Sequence, residues 1–226
     1  MALVRLLGPI EITTKKDRVS DAIRQAIADG KLQPGDRIVE MQLAKDLGVG
    51  NTAVREALFD LESKGFVTRI ANKGTFVTQL TVEDFEHIFD ARREMESFAV
   101  DLAQSRATNA DLDMLQASVD GMRRSVLAWN LHDFFKCDME FHTTIWRLSG
   151  NRFLENALGP MVFPLFAFFN MTCPPDFRGD LSIGIEHHAK VVDALRARKG
   201  ARAAMKVVID YSRRKELQML FFSNRR

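Results

Sequence analysis

Asp138 and His142 stand four residues apart in this 226-residue chain, and the pair His187-His188 follows on a later segment. On a helix, a spacing of four puts Asp138 and His142 on one face, about one turn apart. His188 could reach the same place from a different helix, with His187 as the substitute if the register is shifted by one. A carboxylate and imidazoles converging from separate helices can hold a divalent metal in a bundle core. The same spacings also fit a solvated ion pair and two exposed histidines, and spacing alone leaves both readings open. A second group is Asn51, Thr52 and Arg55, which follow the tight turn Gly48-Val49-Gly50. Asn and Arg have the bidentate geometry that suits base edges. Lys73 and Gly74 sit between two short alternating runs, Arg37 follows a Pro-Gly turn, and Lys15, Lys16 and Arg18 lie further upstream. These could touch phosphate and sugar, or could be solvated charges on a small structural domain.

Other candidates are less specific. Arg92 or Arg93 could clamp a ligand carboxylate with a bidentate guanidinium, or both could be surface charges. Phe163, Phe166, Phe168 and Phe169 could line a pocket, although such a run reads more readily as core or dimer interface. Cys137 has only Lys136 beside it to lower a thiol pKa, and Cys173 has no such neighbour, so both read as idle thiols. The chain has no nucleophile motif, no P-loop and no Rossmann fingerprint.

The elements that must position these residues change character near residue 80. Before it, short elements are punctuated by Gly and Pro. Residues 17–29 put Val19, Ala22, Ile23, Ala26 and Ile27 on one helical face, with Gly30 as the stop. Pro34-Gly35-Asp36 makes a turn. Residues 40–47 form a second helix with Met41, Leu43, Ala44 and Leu47 inward. Residues 51–64 form a third, with Val54, Ala57, Leu58 and Leu61 inward. Phe66–Ile70 and Thr75–Gln79 then read as a β-hairpin with Gly74 at its tip. Helix, helix, tight turn, helix, hairpin is the order of a winged helix-turn-helix, in which the third helix offers its N-terminal turn to the major groove. That turn also presents free N–H groups and a positive dipole to phosphate.

After Thr81, long helical periods take over. Thr81-x-x-Asp84 and Thr108-x-x-Asp111 both read as N-terminal caps. Helices are expected near 82–106, 109–128, 131–148, 151–170, 180–198 and 201–222. Breakers cluster at Gly150, Pro160, Pro174-Pro175 and Gly200, so 151–170 and the last helix are expected to be broken or frayed. The fold class is therefore mainly α, a winged helix-turn-helix with a small hairpin wing over 1–79 followed by an all-α bundle over 80–226.

Composition narrows the function classes. The chain is 46% hydrophobic and 27% charged, as an ordinary folded protein is. Two cysteines are too few for a disulfide scaffold. The N-terminus has no apolar stretch of signal-peptide length, and Met161–Phe169 falls far short of the ~18 residues a membrane span needs. A cytoplasmic protein with no membrane partner is the expectation. Net charge is only +2; residues 1–80 carry 12 Lys and Arg against 10 Asp and Glu, and the remainder is balanced. If DNA is bound, a few placed cations must do it.

Residues 19–79 resemble the DNA-binding domain of GntR-type bacterial transcription regulators, through AIADGKLQPGDRIVE, LAKDLGV, TAVREALFDLESKGFV and NKGTFV. The resemblance implies DNA contacts at Arg37, Thr52, Arg55 and Gly74. Gly50, Asn51 and Ala53 depart from the family's usual Ser, Arg and Pro at the start of the recognition helix. Gly50 forgoes a capping hydroxyl, which Asn51 or Thr52 would have to replace.

Residues 82–222 are similar to the effector domain of the FadR subfamily, the FCD type, through ARREMESFAVDLAQSRATNADLDML, DMEFHTTIWRLSGN, HAKVVDAL and ARAAMKVVIDYS. In its metal-binding members an Asp and three His hold a divalent cation. By position these fall on Asp138, His142, His188 and Val208, and valine cannot ligate. Tyr211, one turn on, does not replace it at neutral pH. The remaining set still suits a divalent metal, Zn or Ni. The resemblance implies a homodimer on a palindromic operator, regulated as a repressor by a small organic acid. The alternative is a metal-dependent helical enzyme domain fused to a DNA-binding module.

Overall fold

The structure is a computed structural model that describes residues 14–28, 31–172 and 181–223. Gly30, Cys173 and Pro174-Pro175, which the sequence singles out, lie outside these residues. The chain divides into two compact units, Met1–Ser63 with Val67–Val77 and Lys64–Phe66 with Thr78–Arg226.

The first unit is built from α1 (Lys15–Ala28), β1 (Arg37–Ile38), α2 (Glu40–Leu47), α3 (Asn51–Ser63), β2 (Val67–Ile70) and β3 (Gly74–Val77). Val19, Ile23 and Ile27 of α1 and Val54, Ala57, Leu58 and Leu61 of α3 are buried, so the two helices face each other through the apolar stripes their period dictates. Three expected inward residues point out instead. Ala22 is exposed, and Met41 and Leu47 are 76% and 38% exposed because α2, only two turns long, buries Ala44 alone. Gly48 ends α2 in the left-handed region at φ 62°, and its N–H reaches back to Ala44 and Lys45 carbonyls. The hairpin becomes a three-stranded antiparallel sheet in the order β1-β3-β2, with Arg37 opposite Phe76 and Ile70 opposite Gly74. Two-residue β1 is too short to leave a periodic signal in the sequence. The left-handed residue at the hairpin tip is Asn72, at φ 61°, while Gly74 opens β3.

The second unit is helical: α4 (Val82–Arg106), α5 (Asn109–Leu127), α6 (Leu131–Leu148), α7 (Arg152–Thr172), α8 (Leu181–Arg196) and α9 (Ala201–Ser223). Thr81 and Thr108 each form a full capping box with the Asp three residues on, which fixes the starts of α4 and α5. Helix α4 packs on α6, α7 and α9, α5 on α6 and α8, and α8 on α9. Their buried stripes meet in one core that includes Phe85, Phe89, Leu115, Phe141, Ile145 and Trp146.

Helix α7 runs through Pro160 and Pro164 without a break. The apolar face offered by Leu158, Val162, Leu165, Phe166 and Phe169 is buried in the bundle, and that burial outweighs the two lost backbone hydrogen bonds. The phenylalanine run is core. The α8–α9 turn carries Arg198 at φ 55°, which donates to the Gln104 and Ala107 carbonyls and so closes the C-terminus of α4. Among the described residues no helix is long and apolar enough to cross a membrane.

Candidate functional site

In the first unit the side chains of interest gather at the start of α3 and at the wing. Gly50 accepts the first helical N–H bonds, from Ala53 and Val54. Neither Asn51 nor Thr52 supplies the missing cap: both side chains are exposed and, among the described residues, unbonded. The first turn of α3 therefore keeps open donors and a positive dipole end. Arg55, one turn on, is also exposed, and its Nε donates to Glu40 Oε2 of α2 at 2.9 Å. Arg69 of β2 donates to the Arg55 carbonyl and pairs with Glu62.

The wing is organised around Gly74. Its φ is 113°, and a Cβ there would lie 3.3 Å from Arg37 Nε. The missing side chain thus lets the Arg37 guanidinium lie against the start of β3, close to Lys73. A substituted residue would be strained in backbone and would push Arg37 away.

In the second unit, Asp138 and His142 of α6 and His188 of α8 converge, all buried. His188 Nε2 lies 3.4 Å from His142 Nε2 and 3.0 Å from Asp138 Oδ1, and His142 Nε2 lies 3.6 Å from the same oxygen. The far side of each ring is occupied. His188 Nδ1 is 2.7 Å from the Gly184 carbonyl, which can only accept, so Nδ1 carries the proton. His142 Nδ1 is 2.5 Å from Glu96 Oε2 of α4. Burial alone would raise the Glu96 carboxyl, but Arg92 and then His142 hold it well below the usual carboxylate range. Glu96 therefore accepts from His142 as well, and also from Trp146 Nε1 at 3.1 Å and Arg92 Nε at 2.6 Å.

The consequence is chemical. With neutral rings, two Nε2 lone pairs and a carboxylate oxygen face one another. Asp138 is held below its ordinary value despite its burial, chiefly by the hydrogen bond His188 gives it when both ring nitrogens are protonated. One buried arginine against two ionised carboxylates leaves a negative charge uncompensated. A cation, or protons on the rings, must answer it. Ligand atoms around a tetrahedral ion with bonds of 2.0–2.1 Å sit about 3.4 Å apart, and the observed separations of 3.0, 3.4 and 3.6 Å bracket that value. Imidazole nitrogens whose opposite N–H is tied to a carbonyl or a carboxylate are also the usual arrangement of metal-ligating histidines. The residues fit a divalent cation.

Several expected residues are sorted by this geometry. His187 stacks edge-on against Tyr211 and lies outside the cluster. Arg92 is buried, paired with Glu96 and set over the rings of Phe89 and Phe166. Arg93 turns away to Asp210 and Glu94 at the surface and is not part of the site. Val208 is 1% exposed in the bundle core. A cavity of about 40 Å³ beside Asp138 and His188 is lined from α9 by Tyr211, Ser212, Lys215 and Glu216, not by Val208. Burial raises the Cys137 thiol, against nucleophilic or redox use.

Sequence reasoning passed over three residues. Glu96 could have been found from its i,i+4 relation to Arg92. Glu40, at the start of α2, and Glu216, on α9, meet their partners only through tertiary structure.

Residues 15–77 match the family described as "Bacterial regulatory proteins, gntR family", and residues 87–209 match the FCD domain. The HTH-type transcriptional regulator YdhC of Bacillus subtilis (strain 168) is 30% identical over 137 residues, 60% of this chain and 61% of YdhC, so the match spans less than two thirds of that relative. A "Probable D-xylose utilization operon transcriptional repressor" of Paenarthrobacter nicotinovorans is 30% identical over 188 residues, 82% of this chain and 80% of the relative. Among solved structures, E. coli McbR/YncC has the same fold, with a TM-score of 0.70 and 22% identity over 92% of this chain and all of that one.

Proposed function

Because the chain belongs to the GntR family of bacterial transcription regulators and carries an FCD domain, we propose that it represses a metabolic operon and is released by a small organic acid. Residues 1–79 read the operator and residues 80–226 sense the acid and dimerise. As a homodimer in the cytoplasm, it places one α3 on each half of an imperfect palindrome.

On the DNA side, Asn51, Thr52 and Arg55 face base edges, and Arg37, Lys73 and Gly74 meet the backbone beside them. The side chains of Asn51 and Thr52 support this, since no described residue competes for their hydrogen bonds. Glu40 holds Arg55 in place before DNA arrives. Asn51 has a shorter reach than the arginine usual in the family, and so changes base preference at that position.

On the sensing side, one observation carries the reading: three acceptors, Asp138 Oδ1, His142 Nε2 and His188 Nε2, converge in the buried core and, with neutral rings, carry excess negative charge. Asp138, His142 and His188 would hold a divalent cation, Zn or Ni, which would supply a Lewis-acidic attachment point for a carboxylate. Glu96 orients His142, the Gly184 carbonyl orients His188, and Phe141 and Phe166 pack against the rings and keep water out. Arg92 sets the local charge. The effector changes DNA affinity to the extent that it binds two arrangements of the dimer unequally.

The test is an electrophoretic shift of the chain's own upstream DNA, titrated with the organic acids metabolised by the products of adjacent genes. One of them is expected to weaken the complex at least fivefold. A complex indifferent to all of them, with no thermal shift of the protein either, contradicts acid sensing.

A further inference from the structure

The family's fourth ligand would come from the last helix, where this chain has Val208. Helix α9 nevertheless presents a carboxyl to the cavity, a little over two turns further on. Glu216 lies eight residues beyond Val208, and side chains on a helix lean back toward its N-terminus. It lines the cavity that Asp138 and His188 also line, outside the 4.8 Å grouping of Asp138, His142 and His188. Its Oε2 is shut off from solvent and accepts no hydrogen bond among the described residues. A carboxyl oxygen sealed away without a partner is costly unless something absent from the chain itself meets it.

We propose that Glu216 is the group α9 contributes to the cation site, a second carboxylate that takes the place of the missing histidine and faces the cation across the cavity from Asp138. This rests on the reading of Asp138, His142 and His188 as a cation site. Burial, with Asp138 and Glu96 nearby, holds the free Glu216 carboxyl well above the ordinary range despite Arg92. With Glu216 the donor set becomes two imidazoles and two carboxylates, harder than the three-histidine set of metal-binding relatives, which shifts preference toward ions that tolerate oxygen ligands.

The test is zinc affinity by chelator competition, with the d–d absorption of the cobalt(II)-loaded protein, on full-length wild type, Glu216→Gln, Glu216→Asp and Val208→His. Glu216→Gln keeps the shape of the side chain and removes its charge. It is expected to weaken zinc at least tenfold and to alter the cobalt spectrum, with a metal-free thermal midpoint unchanged or raised. Glu216→Asp should recover part of the affinity. Val208→His should not tighten zinc, because Glu216 already supplies the group from α9. Wild-type zinc binding with Glu216→Gln within twofold of it would overturn the role of Glu216 and leave the three-residue site standing. A tenfold gain from Val208→His would overturn it too. No zinc binding by wild type would overturn both readings together.

Discussion

Arg55 and Lys73 separate two kinds of DNA contact. Arg55 sits a turn into α3, exposed and steadied by Glu40, where a guanidinium can meet base edges. Arg55→Ala should cost about 1–3 kcal/mol at the operator and relax specificity at one position of each half-site. Lys73, in the wing turn, is placed on phosphate by the proposed docking. Lys73→Ala should weaken all sequences alike and lower the slope of log affinity against log salt by about 1 per wing. Fluorescence anisotropy on specific and scrambled duplexes at several salt concentrations measures both effects, and equal losses on the two duplexes for Arg55→Ala would contradict its base-reading role. In the bundle, Glu96 has three jobs at once, accepting from Arg92, His142 and Trp146. Glu96→Ala strands a buried guanidinium and should destabilise the chain by about 3–5 kcal/mol in urea unfolding. A loss under 1 kcal/mol would mean that Arg92 finds another partner or water.

At the scale of elements, the starts of α4 and α5 rest on Thr81 with Asp84 and on Thr108 with Asp111. Thr81→Ala should cost about 1 kcal/mol. The Asp84 carboxyl is held below its ordinary value, first by the Thr81 hydroxyl and then by the Thr81 backbone N–H. A group with a depressed folded pKa stabilises fully above its unfolded value and loses that contribution as pH falls through the folded one. The gap between wild type and Thr81→Ala should therefore be full above about pH 4 and narrow below it. A gap independent of pH would deny Asp84 its share of the cap. These caps were legible in the sequence because Thr-x-x-Asp ahead of an apolar period is a local signal, and so was the stripe of Val54, Ala57, Leu58 and Leu61 on α3. The two-residue β1 was not, having no period to show. Nor was the continuity of α7, where the bundle around Val162 and Phe166 overrides two prolines. The convergence of Asp138, His142 and His188 was visible only as a spacing joined to a family likeness. Which of His187 and His188 turns inward, and what α9 brings to the cavity, depend on how α8 and α9 pack.

At the scale of the whole molecule, the chain joins a reader of DNA to a helical core that is short of positive charge. Glu96, Asp138 and Arg92 are interior groups that an apolar core would lack, with Glu216 half-buried on α9, and their burial is costly unless they are compensated. A cation would explain why His142 and His188 each have their outer nitrogen tied off while the inner ones face one another. The most direct test is the metal content of tag-free protein, purified without chelator, incubated with zinc or nickel and dialysed, with His142→Ala carried alongside. The account predicts close to one ion per wild-type chain and essentially none in the variant. A wild-type chain that emerges metal-free from both incubations would contradict it, leaving the cluster as a set of buried hydrogen bonds.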